Sequence, residues 1–219
     1  MSIPPGSTPP DELERGLAFE RLVFFSDAVF AIAITLLIIE VRLPALPDGA
    51  TSDELLAALR QIAPEVFVYV LSFWTIGLYW LAHWRRFRFI ARVDERLVAL
   101  NLVLLALIAF IPFPTAVIGE HGDLVPAVVL YALALSAAGV AGPITWVYAW
   151  RNGLTVPGIE PGYARLAALR GFSVPVVMLG TLPLLLVVGT QVVELLWFLI
   201  IPVQIAMNRL VDAKGSPAP

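Results

Sequence analysis

Six long apolar segments, joined by short polar connections, make up most of the sequence. They cover about 22–41, 66–84, 97–118, 125–150, 172–188 and 192–210. Each is close to the roughly 20 residues that an α-helix needs to cross about 30 Å of hydrocarbon. The pattern therefore predicts an all-α, polytopic membrane protein with six transmembrane helices per subunit, in one membrane domain over 21–211.

The polar segments outside the spans carry weaker signals. We expect residues 1–20 to form a disordered and interfacial N-terminal tail, with a short helix over 11–20, and residues 212–219 to form a disordered C-terminal tail. An amphipathic pattern over 53–60 predicts a short helix between the first two spans. Pro175, Gly180 and Pro183 predict a kink in the fifth span, which should form a tight antiparallel hairpin with the sixth.

Composition supports lipid as the solvent and excludes several chemistries. The chain is 59% hydrophobic and 14% charged, and its mean hydropathy is +0.87, far above that of an ordinary soluble domain. It has no Cys, only two His, and neither a Gly-rich phosphate loop nor a zinc-protease motif. We therefore expect no cofactor and no bound metal.

The basic residues are distributed unequally between the connections. If the N-terminus is cytoplasmic, 12 of the 14 Lys and Arg residues lie on the inner side. The positive-inside rule then predicts that both termini are cytoplasmic. The basic run at 84–92 directly follows a span, so we interpret it as an anchor to the anionic inner leaflet and not as a nucleic-acid site. The anchoring side chains would be Arg85, Arg86, Arg88 and Arg92.

The first apolar segment carries a regular stripe of large side chains. At about 100° per residue, Ile32, Leu36 and Ile39 fall within roughly 40° of one direction, and Thr35 lies on the flank. No charged residue interrupts the stripe. It is typical of helix packing in membranes, and it would also suit a pore that closes by dewetting. The residues alone leave both interpretations open.

An acid and a hydroxyl open the same segment. Asp27 points about 140° away from Ile32, on a face that should continue through Ala31, Ile34 and Ile38. A carboxylate at this depth needs partners on neighbouring helices, because lipid offers none. We expect a polar cluster on one side of the membrane. Its members would be Arg21, Ser26, Asp27, His83 and Asn101. A cap or a structural ion pair is the simpler role for a lone acid at a helix start.

Arg21, Phe25, Ser26 and Asp27 form the pattern Arg-x-x-x-Phe-Ser-Asp, which resembles the signature of the transmembrane protein 175 family of potassium channels. The resemblance extends through 28–44, the stretch around 79–94, and 101–115. The last three spans are similar to the family mainly in hydropathy and length.

This resemblance implies a homotetramer in which the first helix of each subunit lines a central pore for potassium ions. The implied protein is a passive, potassium-selective channel of a prokaryotic plasma membrane, and not an enzyme. The family's hydrophobic constriction maps onto Ile32, with Leu36 and Ile39 further along the stripe, and its pore threonine maps onto Thr35. The implied contacts that brace the pore helix involve Arg21, Phe25, Ser26, Asp27, His83 and Asn101.

Two other functions are compatible with parts of the sequence. A proton-coupled secondary transporter would use Asp27 and Glu40 as intramembrane proton carriers. An intramembrane enzyme would need a nucleophile beside a base, and no such pair stands out in the sequence.

Overall fold

The computed structural model describes residues 10–213, with side chains over 16–211, and its regular structure there is helical. Eleven α-helices follow one another in this part of the chain. They are α1 (Pro10–Leu36), α2 (Ser52–Gln61), α3 (Ala63–Phe87), α4 (Glu95–Phe110), α5 (Pro112–His121), α6 (Val125–Arg151), α7 (Pro161–Gly171), α8 (Ser173–Thr181), α9 (Leu185–Val188), α10 (Thr190–Leu196) and α11 (Ile200–Ala213). Short 3₁₀ turns lie at Leu37–Glu40, Leu182–Leu184 and Trp197–Leu199.

These helices form six segments that are long and apolar enough to span a membrane, which confirms the predicted number. The spans are Gly16–Glu40, Ala63–Phe87, Glu95–His121, Val125–Arg151, Pro161–Val188 and Thr190–Val211. The spans alternate in direction, so the connections of the bundle gather at two ends. We call the end with residues 84–96 and 151–170 the basic end, and the opposite one the α2 end.

The first span differs from its predicted form at both ends. The short helix expected over 11–20 is continuous with the span, because α1 begins at Pro10 and runs unbroken to Leu36. A 3₁₀ turn then replaces the α-helix over Leu37–Glu40, and Val41 is extended. Residues 1–9 and 214–219, which fall in the predicted tails, lie outside the described residues.

The predicted amphipathic helix at the α2 end is confirmed. Thr51 caps α2 by accepting from the backbone N–H of Glu54, while the Glu54 carboxylate accepts from the backbone N–H and hydroxyl of Thr51. These hydrogen bonds stabilise the ionised carboxylate and hold the pKa of Glu54 below its usual value. Pro64 occupies the first turn of α3, where its missing N–H leaves no helix bond unmade.

The fifth span is longer than predicted and is interrupted twice. It begins with α7, an Ala-rich helix outside the predicted range of 172–188, and the helix breaks at Phe172 before α8. A 3₁₀ turn around Pro183 then interrupts the helix where a kink was expected. Gly189 alone separates the fifth and sixth spans. Its φ of 78° is a conformation that glycine adopts without strain, so the chain reverses there in one residue.

The fourth span lies at the centre of the subunit. Its helix α6 packs against α3, α4, α5, α7 and α8. In its most apolar window 67% of the residues are buried, against 22% in the first span and 17% in the sixth. Polar contacts fix its position, since Tyr79 of α3 donates to the backbone O of Leu135 at 2.6 Å and Ser72 lies 2.9 Å from the hydroxyl of Tyr131.

Two connections are joined at the basic end by backbone hydrogen bonds, in an arrangement we call the basic-end clamp. The backbone N–H groups of Ala91 and Arg92 donate to Leu154 O, and an isolated bridge pairs Ile90 with Thr155. Beside the clamp, Tyr148 donates to Asp94, the residue that caps α4. This hydrogen bond lowers the pKa of the Asp94 carboxyl.

The four arginines predicted to anchor the inner leaflet occupy three different environments. Arg86 is buried, which contradicts its placement at a lipid-facing surface. Arg85 donates to Asn208 of α11 at 2.9 Å, and Arg92 donates to the backbone O of Gly153. Arg88 is exposed over the rings of Trp84 and Phe89. The prediction is wrong for Arg86 because a run of basic residues in the sequence does not specify which face of the helix each residue occupies, and so does not specify which of them is buried.

The close contact between α6 and α8 gives a test of the packing. A Cβ at Gly139 would lie 2.7 Å from Cδ of Pro175, whereas one at Gly180 would meet open space. We expect Gly139→Ala to destabilise the protein by about 1–3 kcal/mol through overpacking. The measurement is the thermal unfolding temperature in detergent. Gly180→Ala is the matched control and should not lower that temperature, so equal losses in both variants would contradict the packing described here.

Candidate functional site

The first span presents its faces to different surroundings. One face packs against α3 and α4 and is buried. Its buried members are Leu22, Ser26, Phe30, Ala33 and Leu37. At about 100° per residue, the centre of this buried face lies about 100° from Asp27 in one direction around the helix. The stripe that begins at Ile32 lies in the other direction from Asp27. The bulky side chains of Phe30 and Leu37 therefore set the rotation of the helix.

This rotation differs from the prediction for the face that begins at Asp27 and continues through Ala31, Ile34 and Ile38. Ala31 and Ile38 are exposed and Ile34 is only half-buried, so the face beginning at Asp27 is not the packed one. The sequence predicts that Asp27 has partners on neighbouring helices. In the structure it lies half-buried at the margin of the packed face, where it accepts a hydrogen bond from Trp80 of α3.

The four residues of the predicted stripe are all exposed in the subunit. The exposed fraction is 58% for Ile32, 41% for Leu36 and 54% for Ile39, and Thr35 is exposed beside them. Although the α-helix ends at Leu36, the 3₁₀ turn has three residues per turn and so keeps Ile39 aligned with Leu36. The subunit therefore offers one continuous apolar surface along α1 and the following turn.

Thr35 is the polar residue of this surface. Its hydroxyl donates to the backbone O of Ile32 at 2.9 Å and of Ala31 at 3.0 Å. A hydroxyl has one proton and two acceptor lone pairs. Since the proton is shared between the two carbonyls of its own helix, the oxygen keeps acceptor capacity on its exposed side. It can therefore coordinate a cation.

A chain of buried hydrogen bonds ties α1 to α3 and α4. Ser26 donates to the backbone O of Leu22 at 2.8 Å, so its oxygen is left to accept, and it accepts from the Asn101 amide at 2.9 Å. The carbonyl oxygen of Asn101 then faces Nε2 of His83 at 3.0 Å. Because that oxygen only accepts, Nε2 must carry the proton. One arrangement of protons satisfies all three side chains.

His83 is also held by its ring. It stacks on Phe87 with centroids 3.9 Å apart and contacts Phe30 of α1 at 5.5 Å. The residues of the hydrogen-bonded chain are between 0% and 3% exposed, so water does not compete for their bonds. The rotation and depth of α1 are therefore fixed by side chains from two neighbouring helices.

Asp27 has a separate partner that sequence analysis missed. The indole N–H of Trp80 donates to its Oδ1 at 2.8 Å. Trp80 lies one turn before His83 on α3, and that spacing from a predicted partner is the signal that could have identified it. Arg21 and Phe25 are exposed, and within residues 16–211 neither makes a hydrogen bond to Ser26, His83 or Asn101. The expected cluster is thus two smaller groups.

Asn101 is the central member of the chain, so its removal tests the chain. We expect Asn101→Leu to leave the Nε2–H of His83 buried without an acceptor, at a cost of about 1–3 kcal/mol. The measurement is thermal unfolding in detergent. Asn152→Ala, at an exposed asparagine, is the control and should have little effect.

A double-mutant cycle isolates the pairwise bond. His83→Phe removes the donor while keeping an aromatic ring against Phe87, so the loss in the double variant should be smaller than the sum of the two single losses. Strictly additive losses would show that the two residues do not interact.

Comparison with known proteins shows similarity to one family of ion channels, most clearly over the first three spans. Residues 21–112 match the family model described as endosomal/lysosomal potassium channel TMEM175. A potassium channel of Streptomyces collinus is 38% identical over 156 residues, which is 68% of this chain and 74% of that protein. A potassium channel of Chamaesiphon minutus is also 38% identical, over 51% of this chain and 53% of its own length.

A solved structure is similar over almost the whole subunit. The crystal structure of a lysosomal potassium-selective channel TMEM175 homolog from Chamaesiphon minutus superimposes with a TM-score of 0.73 at 27% identity, covering 87% of this chain and 98% of that one. The family model, which matches residues 21–112, covers Ser26, His83 and Asn101 of the hydrogen-bonded chain. The chain therefore belongs to the TMEM175 family of ion channels, and it is a multi-pass membrane protein and not an enzyme.

Proposed function

We propose that four copies of the chain form a potassium-selective channel that conducts passively through a central pore lined by α1. The observation that carries this proposal is the exposed stripe of Ile32, Thr35, Leu36 and Ile39 on a helix whose opposite side is firmly packed. A helix held by buried polar bonds on one face presents its other face in a defined orientation. This is what a pore lining requires.

The subunit and its relatives support assembly around the first span. The most apolar windows of the first and sixth spans are only 22% and 17% buried within one subunit, so both leave surface for contacts with other subunits or with lipid, and the first also carries the stripe. The two bacterial relatives are named potassium channels, and the structural relative is titled a potassium-selective channel. Closing four subunits around their first helices would bring the stripe to the symmetry axis, as a homotetramer requires.

In this channel the narrowest point is a ring of Ile32 side chains. An apolar ring cannot coordinate an ion, so it acts through its width and its tendency to exclude water. Thr35 lies one helical turn further along, and its oxygen keeps acceptor capacity on the exposed side. Potassium surrenders its hydration water more readily than sodium, so partial replacement of that water by Thr35 oxygens favours potassium.

The proposed orientation places the basic end in the cytoplasm of a prokaryotic cell, with the protein in the plasma membrane. Twelve of the 14 basic residues support it through the positive-inside rule. Exposed Arg88 beside Trp84 then lies at the level of the inner-leaflet headgroups. We assign the contacts of Ser26, Asn101 and His83, and of Asp27 with Trp80, the role of bracing the pore helix.

Ile32 offers a matched test of the constriction. We expect Ile32→Asn to wet the narrow ring, raise single-channel conductance and reduce the preference for potassium over sodium. The measurement is the reversal potential in planar bilayers with potassium on one side and sodium on the other.

Ile38→Asn is the control, because Ile38 lies on the same span with a similar exposed fraction, 52% against 58%, but on another face. It should leave the reversal potential unchanged. An unchanged preference in Ile32→Asn would remove Ile32 from the filter.

Asp27 separates the channel from the proton-coupled transporter. Asn at position 27 keeps an oxygen that can accept from Trp80 but cannot carry a proton, whereas Ala loses the bond. In a channel, Asp27→Asn should retain potassium current and Asp27→Ala should lose assembly or current. A transporter that uses Asp27 as its carrier should lose flux in both variants. The measurement is potassium flux into liposomes at constant pH, with and without an imposed proton gradient.

A further inference from the structure

Arg86 is a buried cation that the proposed conduction pathway does not use. It lies near the end of α3, is 8% exposed, and its guanidinium covers Gly142 of α6 so closely that a Cβ at that glycine would overlap it. Its Nε is fully buried and has no hydrogen-bond partner among the described residues. Within residues 16–211 no carboxylate forms an ion pair with Arg86. An arginine stays protonated in proteins, so the charge persists.

The neighbours of Arg86 add positive charge. Arg170 of α7 is 6% exposed and close enough for its charge to act on Arg86. Arg170 and Arg85 both donate to the side-chain oxygen of Asn208, at 3.4 Å and 2.9 Å. Asn208 supplies these two arginines with an acceptor. Within residues 16–211 no side chain supplies Arg86 itself with a counter-charge, and a buried guanidinium without one costs several kcal/mol.

A small cavity lies against Arg86 and limits what can supply that charge. It is lined by His83, Gly142, Thr145 and Trp146 among others, and its volume is about 10 Å³. A cavity of about this volume is the smallest that holds one water molecule, so only a monatomic ligand can enter, and a chloride ion, which is larger than water, requires a slight outward movement of the lining side chains. A phosphate group is excluded. The indole N–H of Trp146 and the hydroxyl proton of Thr145 are already donated to backbone carbonyls. Arg86 is therefore the residue with an unused donor.

We propose that this cavity binds a single halide ion, with chloride as the physiological ligand, held by the Arg86 guanidinium. A water molecule would accept the Nε–H but would leave the charge uncompensated, whereas chloride supplies both the acceptor and the charge. The site joins α3 and α6 at the basic end, next to the histidine of the hydrogen-bonded chain. Its ligand stabilises the subunit and is not the permeant ion.

Bromide tests the site directly on the wild-type protein. Crystals grown or soaked in potassium bromide should show an anomalous peak at hydrogen-bonding distance from Nε of Arg86. Density in the cavity without an anomalous signal would identify water and overturn the proposal. This measurement requires no variant and no conductance, so it is independent of whether the pore selects potassium.

A solution experiment tests the same site by stability. Replacing potassium gluconate with potassium chloride at equal concentration should raise the unfolding temperature of the wild-type protein by about 2–4 °C. Because the potassium concentration is constant, cations in the pore do not contribute to the difference.

Arg86→Met should abolish the chloride-dependent shift, whereas Arg165→Met, at an exposed arginine of α7, should retain it. A shift that survives in Arg86→Met would overturn the assignment. A gain in potassium phosphate without one in chloride would overturn the size argument.

Discussion

The rest of the structure depends on the hydrogen bonds from Ser26 through Asn101 to His83. Inside a membrane no water is available to form hydrogen bonds with a polar side chain, so its partners must come from the protein. These three residues satisfy one another in a single arrangement of protons. A rotation of α1 by one residue would break the chain and leave polar atoms facing hydrocarbon. The face that α1 presents outward is therefore a consequence of what it binds inward.

Much of the architecture was predictable because hydrocarbon imposes simple rules. The six spans follow from segment length and hydropathy, and the helix over Ser52–Gln61 from its amphipathic pattern. The kink near Pro183 follows from a missing backbone donor. Ser26, His83 and Asn101 could be grouped because a polar residue in a span must have a partner. In each case a local physical requirement is visible in the sequence itself.

Other features depend on three-dimensional packing and were not predictable. Asp27 is the charged residue in the apolar part of α1, yet Phe30 and Leu37 decide which face is buried, because their bulk fills the groove against α3 and α4. In the sequence Arg86 is one member of a basic run that resembles a surface segment. In the structure it is buried, because Gly142 of α6 has no side chain and leaves room for the guanidinium. The helix over Pro161–Gly171 is rich in alanine and glycine and carries charge. It therefore has no long apolar run from which a membrane-spanning helix could be predicted.

The basic-end clamp has a consequence for motion. It joins the connection after the second span to the one after the fourth through backbone hydrogen bonds and the bridge of Ile90 with Thr155. Because these connections lie between the second and third spans and between the fourth and fifth, the clamp holds the ends of four spans together at the basic end. Two of the three 3₁₀ turns in the described part of the chain, at Leu37–Glu40 and Leu182–Leu184, lie in the half of the bundle away from this end. A movement of the spans relative to one another that preserved these hydrogen bonds would therefore have to take place in the half away from the basic end.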